Sequence, residues 1–231
     1  ILYGGEGMLC QICTDHPRYR SFFSERTEIG VGLCCEEAAH LILTRPEKTT
    51  LVVTGEGELD EEETALLTLR DHLFAIAQNR EEPIERRMEQ ILSACGAHVP
   101  DVPLVHWAEF YLSLERMDEV WTGILEALRE HADELPLDDF AAHMKGRETE
   151  YEQLLVYFLY RHVPTALDDG DVSSKAAFAV LSVRQLFSLG ALHLLLHGEF
   201  TVEDQIELCR LYSAEVEYSD DNTDALFDAL L

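Results

Sequence analysis

From about residue 59 onward, apolar residues recur at intervals of three and four through most of the chain, which is the spacing of helices with one buried face. Ala65, Leu66, Leu69, Leu73, Ile76 and Ala77 predict the first, running to Asn79, with Asp60 and Glu63 at capping-box spacing in front of it. Pro83 suits the first turn of a second helix that carries Met88, Ile91 and Leu92 and ends near Gly96. Residues 106–114 predict a third, and Val120, Trp121, Ile124, Leu125 and Leu128 a fourth. Residues 148–162 predict another, halted by Pro164. Residues 171–197 form the longest, capped by Asp171 or Ser173. Thr201 opens the last long helix, which reaches to Ser219 before Asp220, Asp221 and Asn222 break or cap it.

The first part of the chain reads differently. Residues 1–8 hold three glycines and no apolar period, which predicts a loose segment. Tyr19, Phe22 and Phe23 form an aromatic patch expected to be core, and residues 28–33 a tight bend freed by Gly30 and Gly32. A short helix follows over 35–44, stopped by Arg45 and Pro46. Residues 50–54 (TLVVT) are the best strand candidate, being β-branched and followed by Gly55, but no clear second strand is present to pair with them. The expected fold is mainly α: an irregular multi-helix domain over 47–231, a small cysteine-bearing module over 1–46, and at most a minor β ribbon. The charged stretch 130–147 is the weakest joint.

Composition narrows the partners. Among 231 residues, 45 are acidic and 17 basic, a net charge of -28 that repels nucleic acid and anionic membrane surfaces and favours a basic protein segment or a lysine side chain. Residues 176–196 are apolar enough to suggest a membrane span. Arg184 at their centre costs about 2.5–3.5 kcal/mol on insertion scales, so a buried central helix is expected. Residues 1–9 do not read as a leader of the secretory type, so a protein without one is expected. Four of the six cysteines cluster near the start, which fits a reducing cytoplasm and metal ligation better than a disulfide framework.

Those four are Cys10, Cys13, Cys34 and Cys35. A C-x-x-C lets both sulfurs of Cys10 and Cys13 turn to one ion. Cys34 and Cys35 are adjacent at a helix start and point about 100° apart, so one of them is expected to join the same site. Three thiolates leave a vacancy for His16, for Cys95 or Cys209, or for a residue preceding Ile1. Zinc accepts three cysteines and a histidine, whereas an iron-sulfur cluster more often takes four cysteines. Cys95 and Cys209 lie within helical apolar stripes and read as buried structure.

Other chemistry is sparse. The glycines at 4–7 and 30–32 lack the context of a phosphate loop, and neither a G-x-S-x-G nor an H-E-x-x-H occurs. Glu36 and Glu37 read as a solvated helix start, and Trp107, Tyr111, Trp121, Tyr151, Tyr157 and Tyr160 as core or core edge.

The order LCQIC, TDHPRYRSFF, SERTEIGVGLCCEEAAHLIL over residues 9–43 resembles the cysteine module of the flagellin lysine-N-methylase family, and RLYSAEVEYSDDN over 210–222 resembles the closing helix of the same proteins. The resemblance implies methyl transfer from S-adenosylmethionine to flagellin lysines by a cytoplasmic protein bearing an iron-sulfur cluster, in its 4Fe-4S form. It would make Cys10, Cys13 and Cys35 cluster ligands, with the family's further cysteines upstream of this module. Zinc is the alternative metal. A non-enzymatic, metal-bearing helical adaptor that binds a basic partner is the alternative function.

Overall fold

The computed structural model describes residues 15–231. Cys10, Cys13 and the expected loose segment 1–8 lie outside the described residues. The first described elements are two strands, β1 (Arg18–Phe22) and β2 (Thr27–Val31), paired antiparallel with Tyr19 opposite Gly30 and Phe22 opposite Thr27. Side chains alternate across β1: Arg18, Arg20 and Phe22 face out while Tyr19 and Ser21 turn inward.

This ribbon corrects three expectations. Phe22 is 74% exposed and is not core. Residues 28–31 belong to β2 and not to a tight bend, because the glycines serve close approach and not a turn: a Cβ on Gly30 would run into the ring of Tyr19. Residues 50–54 are irregular, with Val52 86% and Val53 66% exposed, since β-branched residues do not hold a strand without a partner edge.

The rest is helical. Glu36–Leu43 (α1) follows the ribbon. Glu61–Ala77 (α2) starts at the Asp60 and Glu63 capping box, complete in both directions. Ile84–Cys95 (α3) runs from Pro83 to a left-handed Gly96. Leu104–Ser113 (α4) and Glu119–His131 (α5) pack together. The charged joint holds a short helix, Leu137–His143 (α6). Glu148–His162 (α7) has the bounds its apolar pattern indicates, and it passes into a 3-10 turn at Pro164 and the single turn Ala166–Asp169 (α8).

Val172–His197 (α9), capped by Asp171, is the central element. It is long and apolar enough to cross a membrane, yet it packs against α3, α5, α6 and α7 as the spine of the core, with Phe178, Leu186 and Ala191 fully covered. Val202–Tyr212 (α10) begins at a Thr201 and Asp204 capping box. It does not continue as an α-helix to Ser219, as its pattern suggested. The backbone widens into a π-helical segment over Ser213–Glu217, and Ser219 then caps Asp220–Ala229 (α11).

Candidate functional site

The π-helical segment turns Glu217 into the interior, where it meets the end of α7. Its carboxylate accepts hydrogen bonds from the Tyr157 hydroxyl at 3.1 Å and from His162 Nε2 at 2.8 Å, and Arg161 Nε lies 3.3 Å away. Arg161 also donates to the Tyr157 oxygen at 2.9 Å and to the Glu217 carbonyl at 3.1 Å. Burial pushes the Glu217 carboxyl up, but Arg161 and the His162 hydrogen bond outweigh it and hold the group below its ordinary range. Burial lowers His162 despite the carboxylate beside it, so the ring stays neutral.

This cluster clasps the cysteine-bearing stretch. The Arg161 guanidinium lies between two rings, 4.8 Å from the centre of Tyr19 on β1 and 4.6 Å from that of Tyr218. Tyr157 accepts from the Leu33 backbone N–H at 3.3 Å, and Tyr218 reaches the Pro17 carbonyl at 3.4 Å. Gly32 passes so close to Tyr218 that a Cβ there would overlap the hydroxyl. The α1 helix then packs on α10. Residues 15–43 and 210–222, far apart in sequence, are thus one contiguous structure.

Beside the clasp, a cavity of about 1000 Å³ opens between β2, the irregular 49–59 segment, α2 and α7. Tyr19, Phe74, Val156, Tyr157 and Tyr160 supply aromatic and apolar wall, and Glu25, Glu56 and Glu58 supply carboxylates. Glu28 on β2 is held by the buried Arg70 in a two-point pair, with Nη2 to Oε1 at 3.0 Å, and Arg26 joins it at 2.6 Å. The Arg70 guanidinium stacks on Phe74 and Tyr160, at 5.5 and 5.3 Å, and Tyr160 donates to the Ile29 carbonyl at 3.3 Å. These links tie the ribbon edge to α2 and α7 and fix one wall of the cavity.

The expected metal ligands are only partly in view. Cys35 starts α1 with no side-chain cap bond, and Cys34 beside it faces the Tyr218 hydroxyl. Burial raises the Cys34 thiol above its ordinary value, against the lowering effect of that hydroxyl. Both are free thiols. Among the described residues no group of three or more His, Cys, Asp or Glu side chains is placed to hold a metal ion. His16 is exposed, Cys95 packs against the core, and Cys209 is fully buried beside Gln205, so the latter two are structural. Of the expected ligands, the described residues thus bring together only the two adjacent thiols of Cys34 and Cys35.

Glu36 and Glu37 are exposed, and Trp107, Tyr111, Trp121, Tyr151 and Tyr157 are buried in the core. The pattern of the sequence missed Arg161, His162 and Glu217. Their signal was two basic residues ending the apolar run 154–159, and an acidic residue inside a stripe that otherwise reads as core.

The part of the chain that carries Tyr157, Arg161 and Glu217 matches a known family. The family model for the FliB lysine N-methylase C-terminal domain matches residues 105–231, more than half of the chain. The protein is thus of the lysine N-methylase class, and the chain belongs to the FliB family. No curated protein and no solved structure matches it.

Proposed function

We propose that this protein transfers methyl groups from S-adenosylmethionine to lysine ε-amines of flagellin, in the cytoplasm. The observation that carries the reading is the family match, whose span includes Tyr157, Tyr160, Arg161, Glu217 and Tyr218, the residues that hold the cysteine-bearing stretch beside the cavity. Methylation forms an N–C bond as the C–S bond of the sulfonium breaks. The sulfonium leaves as a neutral thioether, and the lysine must shed a proton to expose its lone pair.

The cavity suits those demands. Carboxylates at Glu25, Glu56 and Glu58 draw in a cationic side chain, and the wall of Tyr19, Phe74 and Tyr160 strips water from it. Desolvation lowers the pKa of an ammonium and favours the reactive neutral amine. Holding donor and acceptor in line is the remaining contribution. An iron-sulfur cluster would draw on Cys10, Cys13 and Cys35 from a module over 1–46, and no step of the transfer is routed through it.

The intact protein, mixed with flagellin and isotopically labelled S-adenosylmethionine, should place label on lysine, read by peptide mass spectrometry. Label on flagellin that does not map to lysine, or none with an intact metal site, counts against the proposal.

A further inference from the structure

A second cavity, of about 400 Å³, lies between residues 99–104 and one side of α9, and shares no lining residue with the cavity at the ribbon. Trp107, Leu181, Val99 and Leu104 give it an apolar wall, and its polar lining consists of Asp101, Arg184, Gln185 and Ser188. That lining is electrostatically unusual for this chain. Arg184 is exposed and forms no ion pair among the described residues, in a protein with 45 acidic side chains to choose from. Gln185 is 1% exposed, and its Nε2 has no hydrogen-bond partner. A buried amide nitrogen without an acceptor is costly, and such groups are normally satisfied.

Ser188 donates its hydroxyl to the Arg184 backbone carbonyl at 3.0 Å and not into the slot. The N-terminus of α4 also opens here. It starts at Pro103 with no side-chain cap and no acidic residue in its first turn; the His106 N–H is taken by the Pro103 carbonyl, and Asp101 stands two residues before the start. An exposed guanidinium, an unsatisfied amide donor and a helix start without a side-chain cap converge on one apolar slot, with Asp101 the single acidic group on its lining.

We propose that this slot binds a small organic carboxylate, its anionic end on Arg184, Gln185 and the α4 N-terminus and its apolar body against Trp107 and Leu181. The apolar wall distinguishes such a ligand from inorganic phosphate, which would leave Trp107 uncovered. The acceptor-only carboxylate complements donors that lack acceptors.

The test is calorimetric titration of the intact protein with benzoate, with benzamide as the uncharged isostere and with inorganic phosphate, while tryptophan emission is followed. The chain has two tryptophans, and Trp121 is sealed in the core, so a change in emission reports Trp107. Benzoate should bind saturably with a change in emission. Arg184→Ala should weaken it about tenfold or more, as expected for loss of a charge-assisted hydrogen bond. Arg86→Ala, which removes another exposed arginine on α3, should leave it unchanged. Benzamide binding as tightly as benzoate, phosphate binding as tightly with the same emission change, or an Arg184→Ala protein that binds benzoate normally would each overturn the proposal. Arg184 is exposed and forms no ion pair among the described residues, so its variant should report binding and not misfolding.

Discussion

His162 and Glu217 share a buried hydrogen bond of 2.8 Å, from imidazole Nε2 to carboxylate, at the point where α7 meets the π-helical segment. Both groups titrate below their ordinary values, His162 through burial and Glu217 because Arg161 and His162 outweigh burial. The folded protein therefore refuses protons that the unfolded chain accepts. His162 contributes stability in full above its ordinary 6.5 and loses it as pH falls below that value. Glu217 contributes above its ordinary 4.5 and loses its share as pH falls further, through its lowered folded value. Urea unfolding midpoints should accordingly decline between about pH 7 and pH 5, and His162→Gln should flatten that limb.

Removing the acid itself is a harsher change. Glu217→Gln strips the counter-charge from the largely buried Arg161, and unfolding in urea should show a loss of about 3–5 kcal/mol at neutral pH. A loss below about 1 kcal/mol would mean that the cluster is not a single unit.

Arg161→Lys is not a conservative change at this position. A lysine keeps the charge but cannot stack flat between Tyr19 and Tyr218 while also donating to Tyr157 and the Glu217 carbonyl. Hydrogen exchange should quicken in β1, β2 and α1, with α9 left protected. Stability should fall by about 1–2 kcal/mol.

Gly32→Ala places a methyl group onto the Tyr218 hydroxyl and should destabilise the protein by about 1–3 kcal/mol. Tyr218→Phe removes the colliding oxygen, so the double variant should recover part of the loss. Strictly additive losses in the two changes would contradict that contact.

The thiols should differ in reactivity. Cys209, fully buried and pushed up to about 12, should resist alkylation in the folded protein. Cys34, half-buried and raised, should react more slowly than a free cysteine at the same pH, as mass spectrometry of partially labelled protein would show.

The helices could be read from the sequence because their signals are local. Asp60 with Glu63 and Thr201 with Asp204 lie three residues apart, and both cap as their chemistry demands. The apolar run of α7 marks its bounds because it crosses the core along its whole length. The ribbon could not be read in the same way. Tyr19 is inward because Gly30 faces it across the pairing, and Val52 stays exposed for want of an edge, both facts about partners distant along the chain. The clasp was hidden for a further reason. A helical wheel drawn through residues 202–219 assumes a constant turn, and the π-helical widening after Tyr212 re-aims Glu217. The resemblance of residues 210–222 to one family was nonetheless legible and falls inside the matched span, and the fold brings that end against residues 17–32 through Tyr218, Gly32 and Pro17.

The most direct test of the central claim compares the intact protein with a Tyr160→Ala variant in the flagellin methylation assay, with circular dichroism as the check on folding. Tyr160 lines the cavity and links it to β2 through the Ile29 carbonyl. The account predicts methyl-lysine on flagellin with the intact protein and a rate at least about tenfold lower with the folded variant. Full activity in that variant, or no methyl-lysine from the intact protein with S-adenosylmethionine present, would contradict it.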